Sequence, residues 1–245
     1  MAERLLEWDF DARTLFWAIR CPFSLPADPA KQFAGSPLAH PLYASTWRCR
    51  LLRTAFPEFV LHGNNGALVC TPDNIIRCLS SGLVLEALVL TIGWGSMTRT
   101  LDHVYTEDLK VMERVLRRAT ASIDRAGSVA PAWANLRRNL SWTATMASKF
   151  LHFAGRSLGF RVNPPVPMDN EVILQRAWPR FKHAAALEQE EHDLLNVPLP
   201  RPWGDATQTW AGYSRYVTAV SCWAAGRGWT TTELENTLYE VYKDG

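Results

Sequence analysis

Between Gly82 and Gly95 the chain reads Gly-Leu-Val-Leu-Glu-Ala-Leu-Val-Leu-Thr-Ile-Gly-Trp-Gly, with Glu86 as its one charge. A helix over Gly82 to Thr91 is apolar on nearly all sides, so it has no face to offer water and must be buried. The run is also too short to cross a bilayer. A chain of 245 residues with 47% hydrophobic content has the apolar surface to enclose such a helix in one or two lobes.

The remainder agrees with a mainly α fold with little strand. Pro22, Pro26, Pro29, Pro37 and Pro41 break the first third into short pieces. Trp47 to Phe56 reads as a short helix stopped by Pro57. Gly63-Asn64-Asn65-Gly66 lies between apolar runs within Phe59 to Cys70 and reads as a turn or small hairpin. Asp73 is placed to N-cap a helix reaching about Ser80. Helical stretches follow over Thr98 to Tyr105 and Thr106 to Ala126. In the second, Leu109, Met112, Val115, Leu116, Ala119 and Ile123 share one face. Pro131 to Leu140 reads as another helix, and a further one runs from about Ala147 to Ala154. A helix capped by Asp169 is expected to end before Pro179. Two C-terminal helices follow, from about Asp205 to Ala225 and from a capping box read as Thr232 with Glu235, or as Thr230 with Glu233. Residues 1–81 form an N-terminal irregular and helical segment, and residues 82–245 the helical core, of a single unit.

Composition excludes several classes. The N-terminus lacks the basic-then-apolar order of a secretory signal. Five scattered cysteines suggest neither a disulfide framework nor a zinc site, so a reducing, cytoplasmic location is expected, with no metal and no cofactor. The net charge is only +2, but from Arg114 to Arg161 there are nine basic residues against one acid, Asp124. Such a stretch is either a solvated basic face or a surface that neutralises phosphates.

Within that stretch stands Ser148-Lys149-Phe150-Leu151-His152-Phe153, followed across Pro164-Pro165 by Val166-Pro167-Met168-Asp169. A lysine near the start of one helix is thus followed, after a proline-rich connector, by an aspartate twenty positions on. Lysine, spacing and Val-Pro-x-Asp setting together resemble the signature of the helix-hairpin-helix DNA glycosylases, within them the bacterial 8-oxoguanine-glycosylase-like branch. The resemblance covers Gly82 to Gly245. The usual glycine-bearing hairpin before the lysine is replaced by Asn139 to Ala147. The resemblance implies a bilobal helical fold with a DNA cleft near Lys149 and Asp169. It further implies a monomer that flips a modified base from double-stranded DNA and leaves an abasic site. The base is either an oxidised purine, in repair, or a hypermodified pyrimidine such as glucosylated hydroxymethylcytosine of phage DNA, in antiviral defence.

The chemistry gives these residues roles. Breaking an N-glycosidic bond builds positive charge on the sugar, which a carboxylate at Asp169 stabilises. A deprotonated Lys149 can attack the sugar carbon and form a Schiff base, adding lyase activity. Phe150, His152, Phe153, Trp210 and Tyr213 are the candidate walls for the flipped base. Trp94 and Met97 are candidates to fill the gap left in the duplex, with Arg99 beside it. Arg137, Arg138, Ser141, Thr143, Thr145 and Arg156 are the candidate phosphate contacts. Taken singly, Lys149 is a surface helix lysine, Asp169 a plain cap and the Trp210–Tyr213–Tyr216–Trp223 stripe a core face. Two other classes fit the same features: a DNA-binding module that has lost the reaction, and a helical protein whose basic stretch binds an acidic partner.

Overall fold

The computed structural model describes residues 4–5, 25–29, 56–62, 67–95, 108–126, 129–162, 164–169, 175–177 and 209–242. Within them the fold is mainly helical. The α-helices are α1 (Pro72–Ser80), α2 (Val84–Trp94), α3 (Leu109–Ala126), α4 (Ala130–Asn139), α5 (Ala144–Ser157), α6 (Trp210–Gly226) and α7 (Thr231–Tyr242). Four short strands complete it: β1 (Arg4–Leu5), β2 (Leu61–His62), β3 (Ala67–Leu68) and β4 (Phe160–Val162). The hairpin expected around Gly63 to Gly66 is present, with β2 antiparallel to β3, while β1 pairs in parallel with β4.

The apolar run forms α2, and residues from Val84 to Ile92 are buried almost throughout. The helix begins at Val84 rather than Gly82. Gly82 adopts φ +73°, the left-handed conformation that glycine takes without a Cβ penalty, and it closes α1 while Leu83 N–H bonds back to Cys78 O. The cap of α1 is Thr71, whose Oγ1 accepts from Asn74 N, not Asp73; Pro72 fills the first helical position and moves Asp73 into the first turn. At α3 the backbone starts at Leu109, where Asp108 Oδ1 accepts from Lys110 N. Similarly, α6 starts at Trp210 rather than Asp205, with Thr209 as its cap. The helix read over Trp47 to Phe56, the stretch Thr98 to Tyr105 and the helix capped by Asp169 lie wholly or mostly outside the described residues.

Helix α5 is the centre of this arrangement, packed against α1, α2, α3 and α4. Twelve of its residues are buried, from Ala144 to Gly155. It starts a turn earlier than its apolar pattern suggests, because Thr143 caps it and its Oγ1 accepts from Met146 N. Lys149 therefore sits in the second turn, under the cover of the neighbouring helices, rather than at the helix opening. The α6–α7 pair packs on α4 and on the connector after β4.

Candidate active site

The connector Pro164 to Asp169 contains three prolines, which cannot donate backbone hydrogen bonds and cannot join a helix interior. It is held instead by side chains reaching it from two helices. On α5, Ser148, His152 and Gly155 stand four and three residues apart and share one face. Ser148 Oγ donates to Thr145 O and accepts from Met168 N, both at 2.9 Å. His152 Nδ1 lies 2.7 Å from Pro165 O; since a carbonyl can only accept, the ring carries its proton on Nδ1. At Gly155 an added Cβ would stand 2.8 Å from Pro165 Cδ, so glycine is what lets the proline ring approach the helix. From the other side, Tyr213 of α6 donates its hydroxyl to Val166 O at 3.0 Å.

The clamp delivers Asp169 to Lys149. With Met168 fixed on Ser148, the next residue of each segment meets the other: Lys149 Nζ is 3.0 Å from Asp169 Oδ2. The lysine side chain is 4% exposed and the aspartate 19%, so the ammonium lies inside and the carboxylate reaches toward solvent. Trp94, at the end of α2, places its ring 5.8 Å from Lys149 Nζ, within cation–π range, and meets Phe153 edge to face at 5.0 Å.

A second carboxyl belongs to the same neighbourhood. Of the two capping readings at α7, the structure uses Thr230 with Glu233: Thr230 Oγ1 accepts from Glu233 N, and Glu233 Oε2 accepts from Thr230 N. Helix α7 begins at Thr231, so Thr232 is already inside it and Glu235 is not a capping residue. Glu235 is 3% exposed, and its carboxyl is pushed up to about 8, first by burial and then by the Asp169 carboxylate, against the opposing pull of Lys149. His152 is driven the other way, to about 3, by burial and by Arg156, against the Pro165 contact, so it is a neutral imidazole. Burial likewise raises the Tyr213 and Tyr216 hydroxyls, and Tyr216 also feels Glu235 and Asp169.

The remaining expected residues divide by position. Phe150 and Phe153 are fully buried; Phe150 meets Trp142 edge to face and Phe153 lies between Trp94 and His152. Tyr213 is also fully buried, stacked on Trp133 at 4.4 Å, with Trp210 tilted against both. In this conformation these rings are core, and Tyr213 and His152 act on the site by holding the connector. Arg137 donates to Trp142 O and lies over the Trp133 ring, so it braces the α4–α5 turn. Ser141 and Thr143 are exposed in that turn, Arg138 is exposed at the end of α4, Thr145 is buried and Arg156 half-buried. Ser141 has φ +52°, a left-handed position held without glycine. The hairpin thus keeps a left-handed turn although the glycines are gone. Met97 and Arg99 lie outside the described residues. Sequence reasoning missed Ser148, Gly155 and Glu235 as parts of the site. The first two were detectable as small residues on the His152 face. Glu235 was detectable because it shares the buried face of Leu238 and Tyr242, three and seven positions on.

The fold thus sets Lys149 of α5 against Asp169 at the end of the proline-rich connector. The family model for "Putative 8-oxoguanine DNA glycosylase OGG-like protein" matches residues 43–239, about four-fifths of the chain. The chain belongs to this OGG-like glycosylase family, and its function is of the DNA glycosylase type. The match extends upstream of Gly82, into the segment that carries the β2–β3 hairpin and α1. No curated protein and no solved structure matches the chain. No helix among the described residues is long and apolar enough to cross a membrane.

Proposed function

We propose that the protein excises a modified base from double-stranded DNA, with Lys149 and Asp169 as its catalytic pair. The supporting observation is the partly buried Lys149–Asp169 contact at 3.0 Å, assembled by the Ser148–Met168 bond beside it. In this reading Asp169 stabilises the positive charge that develops on the sugar as the glycosidic bond breaks. Lys149, once it has given up a proton, attacks the sugar carbon, and the resulting Schiff base adds lyase activity. The Ser141–Thr143 turn and Arg138 meet phosphates, and Trp94 stands beside the sugar. The enzyme acts as a monomer in the cytoplasm.

The family description favours an oxidised purine as the base. A second reading, glucosylated hydroxymethylcytosine of phage DNA, draws support from the Trp94 ring beside Lys149, since the flat face of an indole suits a sugar. One panel separates them. Purified protein is incubated with 8-oxoguanine duplexes and with phage DNA carrying plain or glucosylated cytosines, then scored for abasic sites and borohydride-trapped adducts. Abasic sites are expected on one substrate class and not with Asp169→Asn, and trapping is expected to vanish in Lys149→Ala. Trapping that persists in Lys149→Ala would refute the nucleophile. Salt-dependent DNA binding without release of any base would leave a non-catalytic DNA-binding module.

A further inference from the structure

Trp133 has no assigned role, yet it is built into the support of Asp169. Helix α5 holds the connector through Ser148 on Met168 N and His152 on Pro165 O. From α6, the Tyr213 hydroxyl donates to Val166 O at 3.0 Å, three residues before Asp169. Val166 is buried and flanked by Pro165 and Pro167, neither of which has an N–H to donate. Where the hydroxyl stands depends on the plane of the Tyr213 ring, because a tyrosine side chain is rigid beyond its two χ angles. Trp133 of α4 fixes that plane. Its ring lies 4.4 Å from the Tyr213 ring and within 11° of parallel, while Trp210 is tilted by 59° and 60° against the two at 6.2 Å. Trp133 is itself 3% exposed. Arg137, one turn further along α4, lies 5.9 Å from its ring and donates to Trp142 O in the α4–α5 turn. Arg137, Trp133, Tyr213 and Val166 thus form a continuous line of contacts from that turn to the connector.

We propose that Trp133 is a positioning residue of the Lys149–Asp169 pair, acting through the Tyr213 hydroxyl on the connector. The proposal rests on the catalytic reading of that pair and extends it to α4. A stacked indole holds the phenol ring in one plane and denies it the freedom to tilt. Without the indole the ring turns about its χ angles, the hydroxyl leaves Val166 O, and the segment up to Asp169 loses its anchor on α6. The Ser148–Met168 bond still holds the backbone next to Asp169, so the carboxylate shifts without coming away. Such a shift slows the reaction, which depends on close alignment of the reacting groups. It leaves DNA affinity in place, because Arg137 keeps its bond to Trp142 O and the exposed groups of the α4–α5 turn stay where they are.

A double-mutant cycle between Trp133→Leu and Tyr213→Phe tests this route, since Tyr213→Phe keeps the ring and removes only the hydroxyl. The first readout is the rate of borohydride trapping at saturating protein on a duplex oligonucleotide holding an abasic site, with affinity for the same duplex measured alongside. Each single variant is expected to trap about tenfold more slowly, with affinity unchanged. Trp133→Leu in the Tyr213→Phe background should slow trapping by less than about twofold more, because its route to Asp169 is already cut. Should Trp133→Leu not fold, Trp133→Met takes its place in the cycle. Trp133→Phe keeps a ring to stack and should recover most of the rate. Effects that multiply in the double variant, or single variants that lower affinity and leave the saturated rate intact, would overturn the proposal. The second readout needs no reaction: carbon-13 NMR of protein labelled at the aspartate carboxyl carbons, the Asp169 resonance being the one missing from Asp169→Asn. It should move in Trp133→Leu and in Tyr213→Phe, and stand in the double variant where Tyr213→Phe puts it. An Asp169 resonance unmoved by Trp133→Leu would overturn the proposal. Absence of trapping in the unmodified protein would remove Lys149 as nucleophile, while the resonance would still decide whether Trp133 positions Asp169.

Discussion

Replacing Glu235 by glutamine should make the protein more stable at alkaline pH, and the size of the gain can be worked from its burial. In the unfolded chain this carboxyl ionises at its usual 4.5; in the fold it holds its proton to about 8. Each tenfold change in proton affinity is worth about 1.4 kcal/mol, so the whole displacement is worth about 5 kcal/mol. The sign follows from proton counting. Between pH 4.5 and 8 the native state keeps a proton that the unfolded state has released, so stability falls as pH rises. The contribution is fully present below 4.5 and lost above 8. His152 acts in the opposite sense, because its folded value of about 3 lies below the ordinary 6.5, and its contribution is lost as pH falls through that range. The two offset each other from 4.5 to 6.5, where the unmodified protein should be most stable. Glu235→Gln is nearly isosteric and does not titrate, so its stability relative to the unmodified protein isolates Glu235. The difference should be near zero at pH 4.5, grow by about 1.4 kcal/mol per pH unit and approach about 5 kcal/mol above pH 8. Urea unfolding at pH 5, 6.5 and 8.5, read from midpoints at constant slope, measures it. Parallel stability–pH curves for the two proteins would refute the reasoning, since they would mean that Glu235 releases its proton equally in the folded and unfolded states.

Ser148→Ala leaves the buried Met168 N–H without its acceptor, and it should cost about 1–3 kcal/mol in urea unfolding. The same variant should slow abasic-site formation by loosening Asp169. Gly155→Ala sets a Cβ 2.8 Å from Pro165 Cδ, against a ring that has little freedom to turn; a loss of about 1–3 kcal/mol is expected, together with slower base release. Ser141→Gly relieves a left-handed residue and should raise stability by up to about 1 kcal/mol, visible as a higher Tm. Should the Ser141 hydroxyl meet phosphate, the same change weakens DNA binding at moderate salt.

What the sequence determined by itself was whatever local chemistry controls. The uniformly apolar run had to become a buried helix, and it forms α2. The Asn-Asn turn between apolar runs had to fold back, and β2 pairs with β3. The proline connector could not be helical, and the Val-Pro-x-Asp setting with a lysine twenty positions earlier pointed to the family. At α1 the cap is Thr71 rather than Asp73 two residues on, and at α7, where both pairings were open, it is Thr230 with Glu233, because backbone geometry chooses between similar side chains. The tertiary structure alone decided how the site is assembled. Only the packing of α5 against the connector turns Ser148, His152 and Gly155 into a clamp that sets Asp169 against Lys149. Only the docking of α7 brings Glu235, sixty-six residues beyond Asp169, into the field of the same pair. A carboxyl's charge state depends on the water it loses and the charges it meets, and both are set by contacts between segments far apart in the chain.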